Sequence, residues 1–306
     1  MSSSLVGSEM CIRDRFYNGS RIRLQEPGLA PIDMEASDII ALQEAGARPS
    51  SATTPTTPGW DGQNTQWSLQ SNPNARVTEY RWNGWWLYHM PVARENQDPA
   101  NGRRTNLAIV SRYRADGLQI VPRQMNEDNP GSLANRENFG IRVTHADGSQ
   151  AWFYTFHASS FGAAAEDRNN VNPVLDRISI DRENFGGRWV VLGDYNRDPR
   201  NNGTNGTPST GIITGVDAQR PIYYRYAPAR PTRPSSGRIL DYAVSDHLVV
   251  GLPAMLVDEL AQFSDHVPVV YQWNFRAAGE PQNQTYKDHE TLYTSMGDCF
   301  NETDHK

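Results

Sequence analysis

The sequence predicts an α/β protein in which sheet packs on sheet between outer helices. Three observations predict it. The chain has 306 residues, enough for one large α/β domain or two small ones with a packed core. From Ser37 onward one pattern repeats: a short apolar, β-branched or aromatic run, then a polar residue of catalytic type, then a loop. Such runs far outnumber helical patterns, and many strands with few helices suggest two sheet layers flanked by helices.

In chain order, residues 1–15 read as a non-native start. They carry neither the basic and apolar regions of a signal peptide nor a strand or helix period, and they resemble a translated sequencing-adapter artefact. Residues 16–275 form the predicted domain, and residues 276–306 a polar, flexible tail. Strands are predicted at residues 38–42, 77–80, 85–89, 107–111, 117–122, 139–144, 151–156, 189–193, 239–244 and 267–273. Each is a short apolar run bounded by turn residues. Helices are predicted at residues 172–181 and 255–263. Residues 48–59 and 198–211 are rich in Pro, Gly, Ser, Thr and Asn and read as loops.

Composition excludes several classes. Hydrophobic residues make up 37% and charged residues 21%, with no apolar run near membrane-spanning length. Two cysteines, Cys11 and Cys299, support neither a disulfide framework nor a Cys-rich zinc site. A net charge of -6 argues against a passive nucleic-acid coat and leaves room for an enzyme touching phosphates at a few points. Only Lys287 and Lys306 are lysines among 29 basic residues. Codon bias in a GC-rich genome gives that result, and so does a preference for guanidinium forks, which suit phosphate oxygens.

The chemistry-bearing residues sit at the ends of the predicted strands. In Gly193-Asp194-Tyr195-Asn196 the carboxylate and the amide fall on one side of an extended segment. There they could orient water and donate to a developing oxyanion, or simply form an Asx-turn. Glu44 ends the 38–42 run, where a carboxylate could hold a hard cation such as Mg²⁺ or serve as an exposed turn residue. His157 closes an aromatic strand and could donate to a phosphate oxygen. Ser264-Asp265-His266 precedes a closing strand, and Asp241 is the carboxylate expected to hold the His266 tautomer. Ser245-Asp246-His247 repeats the triplet and is read as loop, because no closing strand anchors it.

Taken together, Gln43-Glu44-Ala45-Gly46, Asn106-Leu107-Ala108-Ile109-Val110-Ser111, Phe156-His157-Ala158, Gly193-Asp194-Tyr195-Asn196-Arg197, Leu240-Asp241-Tyr242-Ala243-Val244 and Ser264-Asp265-His266-Val267-Pro268-Val269 resemble the DNase I-like endonuclease/exonuclease/phosphatase superfamily. Within it they are similar to the catalytic B subunits of cytolethal distending toxins. The resemblance implies an α/β four-layer αββα sandwich, two packed mixed sheets flanked by helices. It also implies hydrolysis of DNA phosphodiesters with Mg²⁺ or another divalent cation such as Mn²⁺ or Ca²⁺. Carried over, Glu44 and Asp265 bind the metal, and His157 and His266 are the paired imidazoles, with His266 held by Asp241. Asp194 and Asn196 position water and stabilise the phosphorane, and Arg104 and Arg136 contact phosphate.

The same resemblance implies DNA as substrate, delivery subunits as partners, secretion and action in the target-cell nucleus, without direct membrane insertion. Cys299 is available for an interchain link. Two alternatives stay open at this point: a phosphoinositide phosphatase of the same fold, and a catalytically impaired binding module. The chain departs from the family pattern at Glu137, where a proline is usual, and in residues 1–36. Nothing there matches the family's Trp-Asn-Leu-Gln strand, and Asn18 is a poor candidate, so the first strand is expected to be missing.

Overall fold

The computed structural model describes residues 18–24, 38–43, 45, 48–57, 59, 65–91, 106–123, 137–144, 148, 150–158, 168–196, 198, 224–245, 255–256, 266 and 269–273. By contact the chain divides into Met1–Phe275 and Arg276–Lys306, and the described residues all belong to the first unit. Its strands are β1 Asn18–Leu24, β2 Ile39–Gln43, β3 Gln66–Ser68, β4 Arg76–Trp82, β5 Trp85–Met90, β6 Leu107–Ser111, β7 Gly117–Val121, β8 Asn138–Thr144, β9 Gln150–His157, β10 Arg188–Asp194, β11 Tyr224–Tyr226, β12 Asp241–Ser245, β13 Met255–Leu256 and β14 Val269–Trp273. Helix α1 is Arg168–Phe185.

The strands form two sheets. One has eight strands in the order β13-β14-β1-β2-β6-β5-β4-β3, the other six in the order β11-β12-β10-β9-β8-β7. Both are mixed, because β1 pairs parallel with β14 and β10 pairs parallel with β9. The β9–α1–β10 segment is the helical crossover that a parallel pair needs.

Alternation along the central strands explains why the sheets stack. On β6, Leu107 and Ile109 enter the core between the sheets, while Ala108 and Val110 face an outer cluster with Leu42, Ala52 and Trp82. On β10, Val190 and Leu192 enter the same inter-sheet core, while Trp189 and Val191 pack on the other outer face. There Val171, Val174, Leu175 and Ile178 of α1 cover them at the i, i+3, i+4, i+7 spacing of an amphipathic helix. Strands covered on both faces carry continuous apolar runs, which is why they are readable from sequence. Core between the sheets and on both outer faces is the layering of an αββα sandwich.

Two polar clusters link neighbouring elements. Glu79 is fully buried and takes a two-pronged contact from Arg114 and a hydrogen bond from the Tyr88 hydroxyl at 3.1 Å. Burial, with the Glu79 charge beside it, holds the Tyr88 hydroxyl well above its ordinary pKa. Arg182 of α1 lies 3.8 Å over the Trp152 ring and donates to Gln119 at 2.9 Å. Burial pushes its pKa down.

The structure differs from the sequence expectation in two places. A first strand is present: β1 lies between β14 and β2, with Ser20 opposite both Val269 and Ala41. Its pairing is supplied by two distant segments, which the local sequence does not announce. The helix expected at residues 255–263 is corrected at its start, where Met255–Leu256 pairs antiparallel with β14 and residues 257–263 lie outside the described residues. A Met-Leu pair fits strand and helix alike, so the sheet edge decides.

Candidate active site

Three neighbouring strands of the six-stranded sheet end level with one another. Asp194, the last residue of β10, is in register with His157 at the end of β9 and with Asp241 at the start of β12. Adjacent strands lie about 4.8 Å apart, so the three polar residues form a row along one sheet edge. Each follows or begins a buried apolar run, which fixes its position. His266 joins them from the other sheet, three residues before β14.

All four are buried, with exposures of 4% for His157, 3% for Asp194, 1% for Asp241 and 5% for His266. His266 Nδ1 lies 2.7 Å from Asp241 Oδ2. A carboxylate only accepts, so Nδ1 carries a proton, and in the neutral imidazole Nε2 keeps its lone pair. His157 Nε2 lies 3.8 Å from Asp194 Oδ2, within ion-pair range and beyond a hydrogen bond. Asp194, Asp241 and His266 can each offer one ligand atom within 4.8 Å of the others.

That donor set fits a divalent cation on physical grounds. Two buried carboxylates stand directly opposite one another, an arrangement that repels in a sheet. Asp241 Oδ1 is buried and has no hydrogen-bond partner among the described residues. An unsatisfied buried carboxylate oxygen is costly, and a cation offsets both penalties. Carboxylate oxygens suit a small, hard ion.

The turn after β10 is built by its own side chains. Asn196 adopts a left-handed backbone, φ 51°, which asparagine tolerates better than most residues. Its amide N–H donates to Asp194 Oδ1 at 2.7 Å, and its Nδ2 donates to the Ala158 carbonyl at 2.9 Å. The Asx-turn and the catalytic reading of this motif are thus compatible, because one of the two Nδ2 protons stays available. Gly193 stands opposite Phe156, where a Cβ would overlap the Phe156 carbonyl oxygen. Gly193→Ala is expected to lower stability by about 1–3 kcal/mol by overpacking and to shift Asp194 off the row. A urea midpoint and a nicking rate both unchanged from wild type would refute that account.

Of the residues the sequence singled out, His157, Asp194, Asn196, Asp241 and His266 come together. Glu44, Asp265, Arg104 and Arg136 lie outside the described residues. Ser245 of the rival triplet ends β12, about 13 Å along the strand from Asp241, and its hydroxyl donates to the Trp189 carbonyl at 2.7 Å. Glu137 is buried, 2.9 Å from Arg123 and hydrogen-bonded by Asn72 at 2.7 Å.

Sequence reading missed the supports. Asn138 Oδ1 accepts the His157 amide at 3.3 Å. Gln43, fully buried, donates across the inter-sheet gap to Thr155 Oγ1 at 3.0 Å and to the Leu192 carbonyl at 3.4 Å. Asp198 Oδ2 accepts the Ile239 amide at 3.0 Å. The only signal available was a polar residue within or beside an apolar run.

Comparison with known proteins identifies the family and the fold. The sequence profile of the Endonuclease/Exonuclease/phosphatase family matches residues 20–266. The chain belongs to this family. It is 30% identical over 252 residues to the B subunit of the Escherichia coli cytolethal distending toxin, covering 76% of this chain and 78% of that protein. It is 31% identical over 256 residues to a homolog of that B subunit from Salmonella typhi, covering 76% of each. These relatives place the family member among the cytolethal distending toxin B subunits, with the DNase I-like hydrolase fold. The crystal structure of the Haemophilus ducreyi cytolethal distending toxin superposes with a TM-score of 0.51 at 24% identity, over 84% of this chain and 98% of that one.

Proposed function

We propose that this family member is a Mg²⁺-dependent deoxyribonuclease, the DNA-nicking component of a secreted toxin. The observation that carries the reading is the row of Asp194 and Asp241 between two imidazoles, with His266 Nδ1 held 2.7 Å from Asp241. Asp194 orients a water by accepting one of its hydrogens. His266 Nε2 takes the other proton as the water oxygen bonds to phosphorus, and Asp241 stabilises the imidazolium that forms. The bond from phosphorus to the leaving oxygen breaks, and that oxygen departs with a proton from the imidazolium or solvent. His157 and the second Nδ2 proton of Asn196 donate to the non-bridging oxygens. Asp194 and Asp241 Oδ1, which has no partner among the described residues, would hold the cation together with Glu44 and Asp265 by family resemblance, which leaves His266 for proton transfer. When bound, it supplies neutralisation of phosphate charge and a lower pKa for the attacking water.

Arg104 and Arg136 are proposed to contact flanking phosphates. Delivery subunits are proposed as partners, with Cys299 a site for an interchain link and the target-cell nucleus the place of action. No helix among the described residues is long and apolar enough to cross a membrane.

The test is relaxation of supercoiled plasmid. Nicked circles are expected with Mg²⁺ and none with EDTA, with Mn²⁺ or Ca²⁺ as substitute ions. Release of phosphate from a soluble inositol phosphate, with plasmid left intact, would replace this reading by the phosphatase.

A further inference from the structure

Asp241 reaches His266 only if β12 begins where it does, and a side chain outside the strand fixes that start. Thr232 is fully buried nine residues earlier. Its Oγ1 accepts the Leu240 amide at 2.8 Å and the Asp241 amide at 3.1 Å. Successive amides converge on one acceptor only where the chain bends away from an extended course. The hydroxyl therefore sits at a bend that hands Asp241 to the sheet edge.

The rest of the segment is tied to the same edge. Arg233 N–H donates to the Arg238 carbonyl at 3.0 Å, which closes a hairpin over the tight turn Pro234–Ser236. Arg238 Nη2 donates to the Asn196 carbonyl at 3.1 Å. The Leu240 carbonyl accepts the Tyr195 amide at 2.9 Å. Thr232 is the member of this set that touches the backbone of Asp241 itself.

We infer that Thr232 is a positioning residue for the Asp241–His266 pair, acting through its hydroxyl rather than its bulk. This rests on the proton-transfer role proposed for that pair. Valine keeps the shape of threonine and removes the acceptor, so two adjacent buried amides lose their partner. The strand entry then relaxes, and the carboxylate leaves the imidazole.

The test compares Thr232→Val, Thr232→Ser and Ser245→Ala in the full chain. Ser245 is fully buried and bonds at the opposite end of β12, so its loss reports the purely structural cost of one buried hydroxyl. Thr232→Val is expected to lower kcat for plasmid nicking about 10²-fold, the cost of a displacement near 1 Å. KM should stay within about threefold, since ground-state binding is untouched. Serine restores kcat, and Ser245→Ala lowers Tm without lowering kcat. If Thr232→Val does not fold, Thr232→Ala leaves room for a water at the amides and should show a smaller kcat loss of the same kind.

A readout independent of activity separates this inference from the nuclease reading. The imidazole Nδ1–H resonance, identified by its disappearance in His266→Ala, should persist in Thr232→Ser and vanish in Thr232→Val. Its persistence in Thr232→Val, or a kcat equal to wild type there, overturns the positioning role. A wild-type chain that shows the resonance and nicks nothing overturns the nuclease reading alone.

Discussion

Asp241→Asn is expected to lower plasmid nicking by about 10²–10⁴-fold, the range for loss of a general acid–base group. Asparagine matches aspartate in size, and Asp241 is 1% exposed, so packing is retained. What changes is the instruction given to the imidazole. The carboxylate accepts from Nδ1 at 2.7 Å, which leaves the Nε2 lone pair for the water. An amide that turns its N–H₂ to Nδ1 donates instead, and the proton moves to Nε2, where the lone pair is needed. An amide that turns its oxygen keeps the tautomer but leaves the imidazolium without its counter-charge. The same substitution in a Ser-His-Asp triad costs about 10⁴-fold for this reason.

His266→Ala should fall in the same range, and the double variant should be no slower than His266→Ala alone, because the two residues act as one unit. Single-turnover rates on supercoiled plasmid decide the matter. Losses that multiply in the double variant would show two independent roles and break the pair apart.

The parts of this arrangement that were legible in the sequence share one physical property. The strand predicted at residues 107–111 coincides with β6, whose five residues are all buried. Strands β9 and β10 are buried over nearly their whole length and were equally readable. His157, Asp194 and Asp241 stood out because each interrupts such a run at its end. β1, with Ser, Arg and Arg among its seven residues, has no comparable run, and its partners lie about 20 residues away in β2 and about 250 away in β14. The three-residue strands β3 and β11 are too short for a period to declare itself.

Supports were hidden for another reason. Thr232, Asn138 and Asp198 each accept backbone amides 8 to 41 residues away. Such a bond depends on where the chain passes, and no spacing rule encodes it. Gln43 bonds residues 112 and 149 positions away. Catalytic-type residues advertise themselves by chemistry, whereas the residues that aim them are ordinary until the fold brings them into place.

Asp194→Asn separates the cost of the site from its use. The amide keeps an oxygen for the Asn196 N–H, now at 2.7 Å from Asp194 Oδ1, so the left-handed turn after β10 survives. The charge is gone, and with it the repulsion between two buried carboxylates in register. In EDTA the variant should therefore melt at or above the wild-type temperature, since like charges directly opposite in a sheet are destabilising. With Mn²⁺ the order should reverse. Ligand binding to the folded state alone stabilises it by RT ln(1 + L/Kd) at free ligand concentration L, and the variant has lost one of the donors that lie within 4.8 Å of each other. Plasmid nicking should fall about 10²–10³-fold, the scale of losing one preorganised electrostatic group. Melting curves with EDTA and with Mn²⁺, read beside calorimetric titration of the ion, test both signs at once. A variant destabilised in EDTA and unchanged in Mn²⁺ affinity would make Asp194 a structural turn residue and remove it from the cation site. The expected result, higher intrinsic stability bought with lost ion binding and lost rate, is the signature of a carboxylate pair kept for chemistry at the expense of the fold.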